Sequence, residues 1–202
     1  MRKLLAPLTL ALASLALPAL AQPESARATF AGGCFWCMEE AYDEIEGVKA
    51  TTSGYIGGEE ANPSYEQVSR GKTRHAEAVE VEYDPGTVDY ATLLEAFWHN
   101  IDPFARDRQF CDSGAQYRSA IFYHDEKQKQ LAEKTKAERE EQLGREIVTE
   151  IEPAGRFWKA EEYHQDYYKK NPVRYRFYKA GCGREERLEE IWGTQAGLPG
   201  SK

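Results

Sequence analysis

Methionine is nearly missing from this chain: Met1 and Met38 are the only two in 202 residues. So few thioethers would suit a protein exposed to oxidants, although low usage by chance explains it nearly as well. Cysteine and histidine number four each, too scattered for a zinc clip. Such a site takes four ligands, usually as paired motifs. Here Cys34 and Cys37 form the one C-x-x-C, Cys111 and Cys182 stand alone, and His75, His99, His124 and His164 share no ligand spacing. His75-Ala-Glu77 echoes a zinc deaminase pattern, but CFWC precedes it and carries no proline. No metal and no bound cofactor are expected. Basic residues are in deficit, 26 against 34 acidic, for a formal net charge of −8. That balance argues against nucleic acid and against anionic membrane surfaces. There are no internal repeats, sustained heptads or low-complexity segments, and beyond the N-terminus no apolar run nears the roughly 20 residues of a membrane span.

The N-terminus has its own logic. Arg2 and Lys3 precede the apolar Leu4 to Leu17, and Ala19-Leu20-Ala21 makes an A-x-A site before Gln22. This pattern predicts a secretory signal peptide over 1–21, cleaved after Ala21, and a periplasmic or secreted product with no membrane insertion. Residues 22–202 then form a single domain, expected as a monomer, with 172–202 a polar, aromatic-rich tail.

Alternation and turn residues predict strands over 28–31, 48–55, 75–83, 119–123 and 147–151. Helices are predicted over 35–45, 89–100, 125–143 and 159–170, and loops over 57–74 and 102–116. The order β-α-β-β-α-β with additions predicts an α+β, ferredoxin-like two-layer sandwich with extra helices.

The stretch FAGGCFWCMEE, 30–40, carries the chemistry. Cys34 follows a strand and a glycine pair and opens a helix, where unpaired amides and the helix dipole favour a thiolate. Phe35 and Trp36 read as pocket walls beside it. Two functions fit: a dithiol–disulfide oxidoreductase using Cys34 with Cys37, or one attacking thiolate with partner thiols for turnover.

Several motifs in series, GCFW, GYIGG, NPSYEQV, GKTRHAEAVEVEYDP, QFCDSGAQYRSAIFYH and EYHQDYYKKN, resemble peptide methionine sulfoxide reductases of the A type. The resemblance implies thiol-dependent reduction of methionine S-sulfoxide, free or in proteins, in repair after oxidation. It implies Cys34 as nucleophile, Phe35 and Trp36 around the substrate methyl, and Tyr65, Glu77 and Tyr117 around the sulfoxide oxygen, with Asp112 supporting the thiol. A sulfenic acid would condense with a second thiol, and a thioredoxin-like external dithiol would reset the disulfide. Where the family usually has glycine after GCFW, this chain has Cys37. The resolving thiol is therefore expected to be Cys182, on a tail able to swing inward, or alternatively Cys37. A purely structural Cys37–Cys111 bridge is another pairing, and Cys37 reads equally well as a small buried hydrophobe.

Overall fold

The computed structural model describes residues 25–197, so the expected signal segment and its cleavage point lie outside the described residues. In chain order come β1 (Ala26–Gly32), α1 (Phe35–Asp43), β2 (Val48–Ile56), α2 (Tyr65–Ser69), β3 (Ala76–Tyr83) and α3 (Tyr90–His99). Then follow β4 (Arg108–Gln109), β5 (Asp112–Ser113), β6 (Ser119–Tyr123), α4 (Glu126–Leu143), β7 (Glu150–Pro153) and β8 (Trp158–Lys159). Three helices close the chain: α5 (Tyr167–Lys170), α6 (Pro172–Gly181) and α7 (Arg184–Trp192).

The alternation in β3 decides where its side chains go. Val79 and Val81 enter the main core, while Ala76 and Ala78 line a smaller cluster on the other face. Glu77 shares the parity of Val79 and so points under the helices. β3 pairs antiparallel with β1 and β2, β1 pairs with β6, and the sheet runs β7-β6-β1-β3-β2-β8. The central order β6-β1-β3-β2, with α1 and α3 as crossovers, is the expected ferredoxin-like arrangement. Phe30 anchors the core, its ring stacked on Tyr42 at 5.1 Å and on Phe97 at 5.5 Å. Local signals hold the helix ends: Asp89 accepts the Thr92 amide at 2.8 Å, and Asp125 the Gln128 amide at 2.9 Å.

Several segments differ from the sequence reading. The expected loop 57–74 contains α2, begun by a capping box in which Ser64 and Gln67 exchange hydrogen bonds. The expected loop 102–116 contains a small hairpin, β4–β5, turning through Phe110 and Cys111. β7 starts at Glu150 rather than 147. The helix expected over 159–170 shrinks to α5. Gln165 explains why: its side chain binds the backbone N–H and C=O of Ser53 at 3.0 and 2.9 Å, acting as an extra strand residue beside β2. Asp166 then sits at φ 52°, a left-handed conformation that no helix continues through. The C-terminal segment is not a swinging tail. Pro172 starts α6 at its first turn, and α7 buries Leu188 and Trp192, whose indole donates to the Ile101 carbonyl at 3.0 Å.

Candidate active site

Cys34 is the N-cap of α1, directly after Gly33 at φ +87°. A side chain at Gly33 would meet Gln109 Cβ at 2.5 Å, so only glycine lets β1 pass the β4 strand and release the chain into α1. The first helical amide, Phe35 N–H, donates to Glu77 Oε2 at 3.2 Å. Glu77 thus caps the helix that carries the cysteine. Its carboxyl is 1% exposed, and burial pushes its pKa up to about 8 against the pull of the Phe35 amide. Near neutral pH it holds a proton.

Tyr65 and Tyr117 both feel the charges of Glu77, Asp112 and Cys34. Burial raises the Tyr65 phenol to about 12 and the Tyr117 phenol further, so both are O–H donors. An aromatic floor adjoins them. Trp36 stacks on Tyr167 with centroids 3.7 Å apart, and its indole N–H donates to His164 Nδ1 at 3.1 Å. The His164 ring also lies 4.9 Å from Phe35 and 4.4 Å from Tyr65. Burial lowers its pKa to about 4, so it stays neutral and accepts from Trp36.

Cys34 and Cys37 are both free, only 6% and 5% exposed, and hydrogen-bonded to each other. Burial, then Cys37 itself, push the Cys34 thiol well up. The bond from Cys34 brings Cys37 down to about 6, helped by the charges of Arg184 and Lys179 and by Tyr175. The pair therefore keeps one proton on Cys34 and a negative charge on Cys37. A cavity of about 370 Å³ reaches Cys37 between Glu40, Lys179 and Arg184. The other two cysteines are joined to each other as Cys111–Cys182. Cys111, Asp112 and Cys182 place donor atoms within 4.8 Å, but both sulfurs are bonded and Asp112 is held by Tyr178, so no ligand set results.

A paired thiol and thiolate, a buried protonated acid, two phenols and an aromatic floor now stand together. The family model for peptide methionine sulfoxide reductase matches residues 26–196. The chain belongs to that family. It is 48% identical over 182 residues to "Peptide methionine sulfoxide reductase MsrA 2" of Rhizobium meliloti (strain 1021), covering 90% of each chain. Among solved structures, it is similar to Mxr1 of Saccharomyces cerevisiae in reduced form, with TM-score 0.70, 36% identity, and 74% of this chain and 87% of that one covered. It is also similar to Mxr1 in complex with Trx2, with TM-score 0.53, 26% identity, and coverage of 74% and 89%.

In this member of the peptide methionine sulfoxide reductase family, Cys34, Glu77, Tyr65, Tyr117 and Asp112 lie within electrostatic reach of one another, but two cysteines are paired otherwise than expected. Cys182 is not a free tail thiol, and no Cys37–Cys111 bridge forms. Cys111 stands at an exposed hairpin tip facing the end of α6, whereas Cys37 lies buried in the first turn of α1. Four residues were missed: His164, Tyr167, Tyr175 and Tyr178. The cluster EYHQDYY and the i, i+3 spacing of Tyr175 and Tyr178 were the available signals. They read as generic aromatics until α5 and α6 are seen folded over α1.

Proposed function

We propose that this chain reduces methionine S-sulfoxide to methionine, with Cys34 as nucleophile and Cys37 as its resolving partner. The observation that carries this reading is the Cys34–Cys37 pair facing a buried, protonated Glu77. The substrate methyl rests on Phe35 and Trp36, and its oxygen points at Glu77, Tyr65 and Tyr117. Cys34 passes its proton to the Cys37 thiolate as its sulfur attacks the sulfoxide sulfur. Glu77 gives its proton to the oxygen, which would otherwise bear the developing charge. The S–O bond breaks with transfer of hydroxyl to Cys34, releasing methionine and leaving a sulfenic acid. The Cys37 sulfur then attacks Cys34, and its proton leaves with the hydroxyl as water. Two electrons have moved from the thiol pair to the substrate, and Glu77 regains its proton from solvent.

An external dithiol protein of the thioredoxin type resets the Cys34–Cys37 disulfide by exchange. The complex of Mxr1 with Trx2 supports such a donor, and the cavity beside Cys37 provides a route to its sulfur. A general dithiol–disulfide oxidoreductase is disfavoured, because it would leave Tyr65, Tyr117 and the protonated Glu77 without a task. The N-terminal pattern supports export, so the substrates are oxidised proteins and free methionine sulfoxide outside the cytoplasm. The test is epimer-resolved product analysis with the mature protein and a dithiol. Loss of the S epimer with gain of methionine is expected; consumption of neither epimer overturns the reading.

A further inference from the structure

Tyr65 opens α2, a helix of five residues inside a run of turn residues. So short a helix is not stable by itself, and Val68 alone of its residues is buried. What fixes its first turn comes from 96 positions away: the Tyr65 amide donates to Glu161 Oε1 at 2.8 Å. The other oxygen of that carboxylate, Oε2, accepts from the Tyr55 hydroxyl at 2.8 Å. Tyr55 is fully buried on β2 and stands directly opposite Glu77 on β3. Residues so paired share one face of the sheet. A continuous bridge, Tyr55–Glu161–Tyr65, therefore links the strand position beside Glu77 to the first residue of α2.

Glu161 is itself held in place. Its carbonyl accepts the His164 amide at 2.9 Å, and the Ala160 amide just before it donates to the Ser53 carbonyl at 2.9 Å. The Tyr65 ring packs 4.4 Å from the His164 ring, so the segment 161–164 holds Tyr65 by both backbone and side chain. Glu162, next in the chain, pairs with Lys159 and Lys170 at the surface. Glu161 has no such lysine or arginine among the described residues; its two oxygens are taken up by the two tyrosines. Burial pushes its carboxyl pKa up, but the Tyr65 amide and the Tyr55 hydroxyl outweigh that and hold it below the ordinary value. An ionised acceptor makes the stronger hydrogen bonds.

We propose that Glu161 is a positioning residue for the reduction: it ties α2 to β2 so that the Tyr65 hydroxyl stays aimed at the sulfoxide oxygen alongside Glu77. It acts through Tyr65 and is not itself a donor to the substrate. The proposal rests on the reading in which Tyr65 donates to that oxygen.

The experiment is single-turnover methionine formation by residues 22–202 at saturating methionine S-sulfoxide, with folding checked by urea titration. Tyr65→Phe should slow the step by about tenfold, the scale of one hydrogen bond lost from the transition state. Glu161→Ala should slow it about equally. Glu161→Asp, which keeps the charge but is a methylene too short, should follow Glu161→Ala and takes its place if that variant does not fold. Glu161→Gln should stay within about twofold of wild type, because its carbonyl accepts the Tyr65 amide and its NH2 donates to the Tyr55 oxygen. Added to Tyr65→Phe, Glu161→Ala should cost less than about a further twofold, whereas independent sites would multiply to about a hundredfold. A multiplicative double variant, or a shortened variant reacting at the wild-type rate, overturns the proposal. Failure of both Glu161→Ala and Glu161→Asp to fold, with Glu161→Gln folded, assigns the residue to stability and overturns it as well. Wild type forming no methionine would sink the proposed function. Deuterium exchange of the Tyr65 amide would then still read the tie: faster exchange in Glu161→Ala supports it, and an unchanged rate overturns it.

Discussion

At the scale of single residues, Glu77 sets the chemistry. Its pKa is raised from an ordinary 4.5 to about 8, chiefly by burial. The protonated form, which donates to the sulfoxide oxygen, is present below that value and lost above it. Single-turnover methionine formation should therefore fall as pH rises through about 8, and Glu77→Gln should remove that limb and slow the reaction by roughly 10²–10⁴-fold. The same shift has a consequence for stability. Between about 4.5 and 8 the folded chain holds a proton that the unfolded chain releases, so stability declines across this window as pH rises. Urea unfolding of Glu77→Gln at several pH values should show a flatter profile there. Cys37 is the second decisive residue. Cys37→Ser should still yield methionine, more slowly for want of a base, and should leave a sulfenic acid on Cys34 that dimedone traps. A disulfide between Cys34 and any other cysteine in that variant would contradict the assignment of Cys37 as resolver.

At the scale of elements, α1 is placed by groups from distant parts of the chain. Glu77 of β3 caps its first amide, and Tyr175 and Lys179 of α6 both bind Glu40 on its outer side, at 2.7 and 2.6 Å. α6 is in turn anchored through α7, where Trp192 is 5% exposed. Trp192→Ala should cost about 3–5 kcal/mol of stability by denaturant titration, the range for emptying a buried tryptophan site. Much of this layer was legible in the sequence. Strand alternation placed β1, β2, β3 and β6, and helical spacing placed α1, α3 and α4. The short elements were not, since their reasons are tertiary. Gln165 occupies the edge of β2 through its side chain, which stops a helix that local spacing favours. The Ser64-x-x-Gln67 box was readable but lay inside a run of turn residues. The C-terminal helices mix aromatic with charged residues, so their packing shows only when α1 is present to receive them.

At the scale of the whole molecule, the sheet brings together residues that the sequence spreads widely. Cys34 leaves β1, Glu77 lies on β3, Tyr65 opens α2, and Asp112 and Tyr117 flank the turn before β6. The family motifs pointed to these five positions, and β3 parity explains why Glu77 is inside while Glu80 and Glu82 are partly exposed. Sequence could not choose the cysteine pairing. Four cysteines allow three complete pairings, and the choice depends on where a hairpin tip and a helix end meet in space.

The central claim is that Cys34 and Cys37 supply both electrons for one sulfoxide. It is tested most directly by single turnover of residues 22–202, with Cys34 and Cys37 reduced and Cys111–Cys182 intact, on methionine S-sulfoxide without added reductant. The account predicts one methionine per chain, loss of two thiols, and a new disulfide that peptide mapping places at Cys34–Cys37. Methionine formed with Cys37 still a free thiol, or no methionine while the thiols exchange freely with added disulfides, would contradict it.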